Sequence, residues 1–107
     1  MESVNILSRK TLNCCCEKYA QARGSLLAWY DILSKRRYSN HAELKEDFPG
    51  ADYVGENRYV FNIKGNDFRL IVSIRFQAGL VYVKWFGTHA EYDKIKAGEV
   101  KYDDPCH

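Results

Sequence analysis

The sequence predicts an α+β fold in which N-terminal helices pack on a small antiparallel β-sheet and a short C-terminal helix follows. Apolar residues recur at helical spacing in the first third of the chain, whereas from Arg58 onward they alternate with a period of two. The first spacing is typical of amphipathic helices and the second of half-buried strands. The chain therefore divides into a helical half and a strand half.

Length and composition are those of one folded domain. The chain has 107 residues, of which 46% are apolar and 28% are charged, and a chain of this size buries enough apolar surface to fold without metals or crosslinks. The net charge is only +2, so a surface for nucleic acid requires local clustering of basic residues. We expect a single domain over residues 1–107, with a frayed tail from about residue 98.

The chain carries no signal for export or for insertion into a membrane. The segment from Met1 to Lys10 has no long apolar core behind basic residues, and no stretch reaches the roughly 20 apolar residues that span a bilayer. We therefore expect a cytoplasmic protein without membrane contacts.

Four cysteines are present, and three of them are consecutive, from Cys14 to Cys16. Neighbouring cysteines do not form unstrained disulfides with one another, so a secreted disulfide framework is not expected. A zinc site joining the triplet to Cys106 matches no paired CxxC spacing. We expect Cys15 and Cys16 to face inward from a helix as small apolar side chains.

Helical spacing defines two apolar stripes before the strands begin. The stripes are Leu12, Cys15, Cys16 and Tyr19, followed by Leu26, Trp29, Tyr30 and Leu33. Ser8 is a candidate cap for the first helix. Because Gly24 lies between the stripes, they belong either to one bent helix or to two, and we favour two.

A third helical segment is expected just before the sheet. Asn40, with Glu43 three residues later, has the spacing of a capping box, in which side chains bond to backbone N–H groups at the start of a helix. This short helix should end before Phe48, because the residue that precedes a proline disfavours helical geometry.

Two hairpins are expected in the strand half. Tyr59, Phe61 and Ile63 form the apolar face of the first strand, and a turn at Gly65 and Asn66 leads into the second. The second strand places Phe68, Leu70, Val72, Ile74 and Phe76 on one face and Arg69, Ile71, Ser73 and Arg75 on the other.

The pairing of the strands decides which side chains share the open face. If the first turn has two residues, Asn62 lies directly opposite Arg69. Pairing Gln77 with Leu80 in the second hairpin leaves Lys84 on the open face, whereas a slip of one residue would bury its ammonium. The open face is then basic and carries Arg58, Asn62, Lys64, Arg69, Arg75 and Lys84.

A second capping box opens the last helix. Thr88 and Glu91 have the required spacing, so His89 and Tyr92 lie in the first turn of a short helix. The N-terminus of a helix carries unpaired N–H groups and partial positive charge, which attract phosphate. We expect His89 and Tyr92 to lie beside the basic face.

These residues favour binding of nucleic acid and suit chemistry on RNA. Cleavage of RNA without a metal needs a base for the 2′-hydroxyl proton, cations for the charge on the phosphoryl oxygens and an acid for the leaving 5′-oxygen. His, Tyr, Arg and Lys side chains supply all three. Rings on which unpaired bases can stack are Tyr82, Trp85, Phe86 and Tyr92.

Each of these residues also has a structural interpretation. His89 suits an ordinary first-turn position, charges such as Lys64 and Arg69 protect a sheet from edge association, and Tyr92 suits a core position. On these grounds alone the chain is a nucleic-acid-binding α+β domain. The remaining histidines, His41 and His107, are expected at the surface.

Several segments combine into a specific pattern. They are YVFNIKGN from Tyr59, FRLIVSI from Phe68 and GTHAEYDKI from Gly87, with SRKTL from Ser8 and LLAWY from Leu26 in the helical half. This pattern resembles the HigB family of RelE-like toxins over nearly the whole chain. The cysteine triplet and the segment after Lys96 do not share the resemblance.

The resemblance implies a RelE-like fold and the toxin component of a type II toxin-antitoxin system. Such a toxin is an mRNA interferase, an endoribonuclease that cleaves messenger RNA, usually on the ribosome, by 2′-hydroxyl attack and without a cofactor. Its partner would be a HigA-type antitoxin with a helix-turn-helix domain, which connects the toxin to DNA only indirectly.

The resemblance also implies roles for individual residues. Arg69 would stabilise the charged transition state, His89 would act as general base or acid, and Tyr92 would position or stack a base. The residues expected to bind substrate are Arg58, Asn62, Lys64, Asn66, Arg75 and Lys84. No residue is expected to bind a metal.

Two other functions are compatible with such a fold, because a fold does not determine function. One is a ParE-like toxin that inhibits DNA gyrase without cleaving nucleic acid. The other is an RNA-binding module without chemistry. The combination of His89 and Tyr92 beside basic strands favours the endoribonuclease.

Overall fold

The computed structural model describes residues 5–6 and 9–95. The elements are β1 (Asn5–Ile6), α1 (Arg9–Lys18), a 3₁₀ turn (Ala20–Ala22), α2 (Arg23–Ser34), α3 (His41–Asp47), β2 (Asp52–Tyr53), β3 (Arg58–Ile63), β4 (Phe68–Arg75), β5 (Leu80–Thr88) and α4 (His89–Tyr92). Four features named above lie outside the described residues: the Ser8 cap, the tail from residue 98, Cys106 and His107. Within residues 5–6 and 9–95, no helix has the length and apolar character needed to cross a bilayer.

In the part of the chain that the structure describes, the sheet has five strands in the order β1-β5-β4-β3-β2. The α+β prediction is confirmed, and β3, β4 and β5 pair antiparallel as predicted. The short β2, which was not predicted, pairs antiparallel with β3, and β1 pairs with β5 in parallel at the other edge. β1 precedes the helices, and the chain crosses over through them before it forms the other strands. Crossover connections of this length permit parallel pairing.

The two apolar stripes of the helical half belong to two helices, as we favoured. The break is at Tyr19 and the 3₁₀ turn that follows, whereas Gly24 lies inside the first turn of α2. Cys15 and Cys16 are buried, as expected. The partly exposed Cys14 is disulfide-bonded, which the sequence reasoning did not anticipate.

The main core lies between the helices and one face of the sheet. Leu12 of α1 and Leu26 of α2 are fully buried there together with Leu70 at the centre of β4. The Trp29 ring packs edge to face on Phe61, with 5.5 Å between ring centroids. This apolar layer fixes one face of β3, β4 and β5 against the helices and leaves the other face for different contacts.

The first hairpin has the predicted register. Asn62 pairs with Arg69 and Ile63 with Phe68, and the Asp67 N–H donates to the Lys64 carbonyl oxygen across the turn at 3.2 Å. Lys64 itself has a left-handed backbone with φ of 54°, a conformation that is uncommon for a residue with a side chain.

The second hairpin does not have the predicted register. Leu80 pairs with Arg75 rather than with Gln77, a shift of two residues that leaves the faces unchanged at this end. Further along, Val83 pairs with Val72 and Trp85 with Ile71, so Lys84 is an extra residue on β5. It forms a β-bulge, which changes the face on which the following side chains lie.

The open face of the sheet is less polar than the sequence suggested. Val60 and Ile71 are buried on it, beneath a layer of partly buried apolar side chains formed by Val54, Trp85, Tyr92 and Ile95. The face is therefore not basic throughout, because α4 and Trp85, the residue after the bulge, cover the middle of it. Basic side chains remain on either side of this apolar patch.

Asn40 is the N-cap of α3, as predicted. The Asn40 side chain accepts a hydrogen bond from the Glu43 N–H at 2.9 Å, while the Glu43 carboxylate accepts from the Ser39 N–H. Asn40→Ala should lower the free energy of unfolding by about 1 kcal/mol. Asn13→Ala, at an exposed position inside α1, is the control and should cause no loss, because alanine is the better helix former. Equal losses in urea unfolding would contradict this role for Asn40.

Candidate active site

Arg69 lies at the end of β4 that adjoins the first hairpin turn. Its guanidinium folds back onto Asn66: Nη2 donates to the side-chain oxygen of Asn66 at 2.7 Å and Nη1 donates to its carbonyl oxygen at 3.2 Å. The strand neighbours of Arg69 are Asn62 on β3 and Gly87 on β5. The pairing with Asn66 holds a permanent positive charge in a defined position.

Tyr92 brings an aromatic ring to the same place. The guanidinium carbon of Arg69 lies 5.9 Å from the centroid of the Tyr92 ring, which is a cation–π distance. The centroid of the Trp85 ring lies 6.2 Å from that of Tyr92. The structure therefore places Arg69, Asn66 and Tyr92 together, three of the residues that the sequence singled out.

Gly87 permits close packing beside this group. A Cβ at Gly87 would lie 2.7 Å from Cη2 of Trp85 and 2.8 Å from Oε1 of Glu91, closer than any real contact. The absence of a side chain therefore allows an indole ring and a carboxylate to converge on one point of β5.

A carboxylate fixes the first turn of α4. Oε1 of Glu91 accepts hydrogen bonds from the Thr88 N–H at 2.8 Å and from the Tyr19 hydroxyl at 3.3 Å. The bond from the Thr88 backbone is the main reason that the pKa of Glu91 is lowered. Burial and the nearby Glu91 charge raise the pKa of Tyr19. The predicted capping box is present. The bond from the Tyr19 hydroxyl connects α4 to the residue that follows α1.

The N-terminus of α4 does not have the properties expected of a phosphate site. The helix has only four residues, and three of its first N–H groups are already engaged. Thr88 donates to Glu91, Glu91 donates to the Thr88 hydroxyl, and His89 donates to the Asp67 carbonyl oxygen at 2.9 Å. Cationic side chains, rather than the helix terminus, are the groups here that suit an anion.

His89 lies at the junction of β5 and α4. Nε2 of its imidazole is 3.5 Å from Oδ1 of Asp93, and the side chain is 43% exposed. A histidine that is open to solvent and faces a carboxylate has the surroundings of a proton-transfer group, because the carboxylate favours one orientation of the ring.

The other predicted substrate-binding residues fall into two groups. Asn62 and Lys64 are exposed near Arg69, at the hairpin end of the sheet. Arg58 and Arg75 lie toward the opposite end of β3 and β4. Arg75 is six residue steps along the extended strand from Arg69, which corresponds to about 20 Å.

Lys84 belongs to neither group. It is the extra residue of the bulge, and its ammonium lies 5.5 Å from the centroid of the Tyr82 ring. The expectation that Lys84 stays out of the core is confirmed, although the register from which it was inferred is wrong.

Sequence reasoning missed two residues that contact this site. Asp93 is four residues after His89, and that spacing on a helix was available as a signal. Tyr19 was identified as a core residue, but its hydroxyl reaches Glu91 from 72 positions away in the sequence. Periodicity carries no information on such a long-range contact.

Comparison with known families identifies the family to which the chain belongs. Residues 22–95 match the model of the family described as HigB_toxin, RelE-like toxic component of a toxin-antitoxin system. The match covers all of β3, β4 and β5 together with α4, the elements that carry the Arg69 and Tyr92 side chains. The chain belongs to the HigB toxin family.

Curated relatives are similar over most of their length. The mRNA interferase toxin HigB of Escherichia coli (strain K12) is 31% identical over 97 residues, which are 88% of this chain and 92% of that protein. The mRNA interferase HigB of Shigella flexneri matches equally well. The mRNA interferase HigB of Escherichia coli O6:H1 is 31% identical over 94 residues, covering 86% and 91%.

Membership of the HigB family makes this chain the toxic component of a toxin-antitoxin system. The resemblance that the sequence motifs suggested is therefore confirmed. An antitoxin is the partner that such a system implies.

Gly87→Ala tests the packing around β5. The added Cβ must displace the Trp85 ring or the Glu91 carboxylate, so the free energy of unfolding should fall by about 1–3 kcal/mol. Gly24→Ala is the matched control, since nothing lies within 4 Å of its added Cβ and alanine should stabilise a helix by about 0.5–1 kcal/mol. Denaturant unfolding measures both, and two changes of the same sign would refute this account of Gly87.

Glu91→Gln tests the charge that caps α4. The pKa of Glu91 in the folded protein is below its ordinary value of 4.5. Its stabilising effect is therefore complete above that value and disappears as the pH falls through the lowered pKa. Thermal unfolding midpoints of wild type and Glu91→Gln should differ at neutral pH and converge as the pH falls through the lowered pKa. A difference that does not change with pH would argue against a charge effect.

Proposed function

We propose that this protein is an mRNA endoribonuclease that cleaves by attack of a 2′-hydroxyl and uses no metal. The observation that carries the proposal is the Arg69 guanidinium held by Asn66 beside the Tyr92 ring. A fixed cation offsets charge on phosphoryl oxygens, and an aromatic ring stacks an unpaired base. The similar proteins of Escherichia coli and Shigella flexneri are named mRNA interferases, which supports the same activity.

The residues divide the reaction among them. A base removes the proton of the 2′-hydroxyl, the 2′-oxygen attacks the adjacent phosphorus, and the bond to the 5′-oxygen breaks as that oxygen gains a proton. His89, oriented by Asp93, serves as base or acid. Arg69 stabilises the charged transition state, and Tyr92 positions the base of the reacting nucleotide.

The two basic groups on the sheet suit a longer RNA. Asn62, Lys64 and Asn66 hold the nucleotides next to the cleaved bond, because they surround Arg69. Three side chains farther from Arg69 contact the RNA backbone beyond the cleaved bond: Arg58, Arg75 and Lys84. Cationic side chains along the path of the RNA add affinity without base preference.

The cellular context follows from the same activity. We infer that the substrate is mRNA on the ribosome and that the neutralising partner is a HigA-type antitoxin with a helix-turn-helix domain. The contact with DNA is then made by the antitoxin. The family's description as a toxin-antitoxin component supports this inference.

Primer extension on mRNA from briefly induced cells tests the activity. Wild type should create discrete new 5′ ends inside translated regions, and Arg69→Ala should reduce them about a hundredfold, as loss of a transition-state contact does. Arg23→Ala is the control, since Arg23 is exposed on α2 in the helical half. Growth arrest with intact transcripts would refute the nuclease and favour a gyrase-type toxin, and full cleavage by folded Arg69→Ala would refute the role of Arg69.

A further inference from the structure

The bulge at Lys84 decides where the Trp85 ring lies. On β5, Val83 pairs with Val72 and Trp85 pairs with Ile71, so one residue is skipped between adjacent partners. Without this extra residue, strict alternation would direct Trp85 into the main core. With it, Trp85 lies on the open face that also carries Arg69. Bulges often redirect a side chain beside an active site in this way.

The indole lies beside the candidate active site. Its six-membered ring extends across Gly87, the residue that pairs with Arg69, because Cη2 is the atom nearest to the absent Cβ. Its centroid is 6.2 Å from the Tyr92 ring, which in turn is 5.9 Å from the Arg69 guanidinium carbon. The Trp85 ring, the Tyr92 ring and the Arg69 guanidinium are therefore successive neighbours on the open face.

Trp85 is only partly buried, although it covers Ile71. Any large aliphatic side chain would shield Ile71 equally well, but an indole also presents a π face on which a base can stack. Phe86, the next residue, faces the main core and packs flat on Phe68 with 5.5 Å between centroids. The bulge thus separates a structural ring from one that remains accessible.

We propose that Trp85 stacks on an unpaired base of the RNA, adjacent to the nucleotide that Tyr92 positions. The proposal rests on the endoribonuclease function argued above and adds a base-recognition residue to it. Stacking on an aromatic side chain tolerates every base and adds affinity at each ring. The Arg69 guanidinium binds the phosphate group between these two nucleotides, since it lies next to the Tyr92 ring.

Intrinsic fluorescence distinguishes this contact from other binding. The chain has two tryptophans, and Trp29 is 4% exposed in the main core, where a ligand does not reach it. A single-stranded RNA with 2′-O-methyl groups throughout lacks the attacking hydroxyl and is not cleaved. Titration with this RNA should quench the emission of wild-type protein. Trp85→Phe, which retains only the Trp29 emission, should show no quenching.

The anisotropy of a labelled copy of the same RNA reports binding independently. Binding without quenching of the wild-type emission would overturn the role of Trp85 and leave the proposed nuclease intact. Absence of binding altogether would contradict the proposed function, and the inference with it. A strand of the same length without bases is the ligand control, and quenching by it would show that the backbone, not a base, causes the signal and would overturn stacking.

A pair of substitutions separates stacking from simple coverage of Ile71. Trp85→Phe keeps a ring, whereas Trp85→Leu keeps an apolar cover without one. Stacking predicts that the phenylalanine variant binds the 2′-O-methyl RNA nearly as well as wild type and that the leucine variant binds roughly tenfold more weakly. Equal affinities in the two variants, with unchanged unfolding midpoints, would show that Trp85 is only structural.

Discussion

The burial of β4 on both faces is the constraint on which the rest of the structure depends. Leu70 and Val72 are fully buried against the helices, while Ile71 between them is fully buried on the opposite face. A slip of one residue would turn Arg69 and Arg75 of this strand toward the main core, so its register is strongly specified. Arg69 continues this alternation, and its direction is therefore determined by the core.

The elements that were predictable from the sequence are those with local signals. Helical spacing, capping spacing at Asn40 and Thr88, and the turn after Ile63 all depend on residues close in the chain, and the structure contains each of them. The pairing of Asn62 with Arg69 followed from that turn. The family was identifiable because its motifs occupy the same local segments.

The parts that were not predictable depend on contacts between distant segments or on very short elements. β1 and β2 have two residues each, which is too few for any periodicity. The second turn has four residues, from Phe76 to Gly79, rather than two, which shifts the register at the start of β5. The bulge at Lys84 has no local signature, so the apolar patch on the open face was missed. The aromatic side chains beside Arg69 were expected from the sequence, but the burial of Val60 and Ile71 beneath Trp85 and Tyr92 was not. The contact of Tyr19 with Glu91 joins opposite ends of the chain.

The short length of α4 has a consequence for motion. A four-residue helix has too few internal hydrogen bonds to persist alone, and it is held by side-chain bonds to Glu91 and by packing on the sheet. Segments of this kind open locally at a lower free energy than central strands. α4, which carries His89 and Tyr92, can therefore separate from the sheet and pack on it again while Arg69 stays fixed on β4. The open face thus combines a weakly anchored part, α4, with a rigid part, β4.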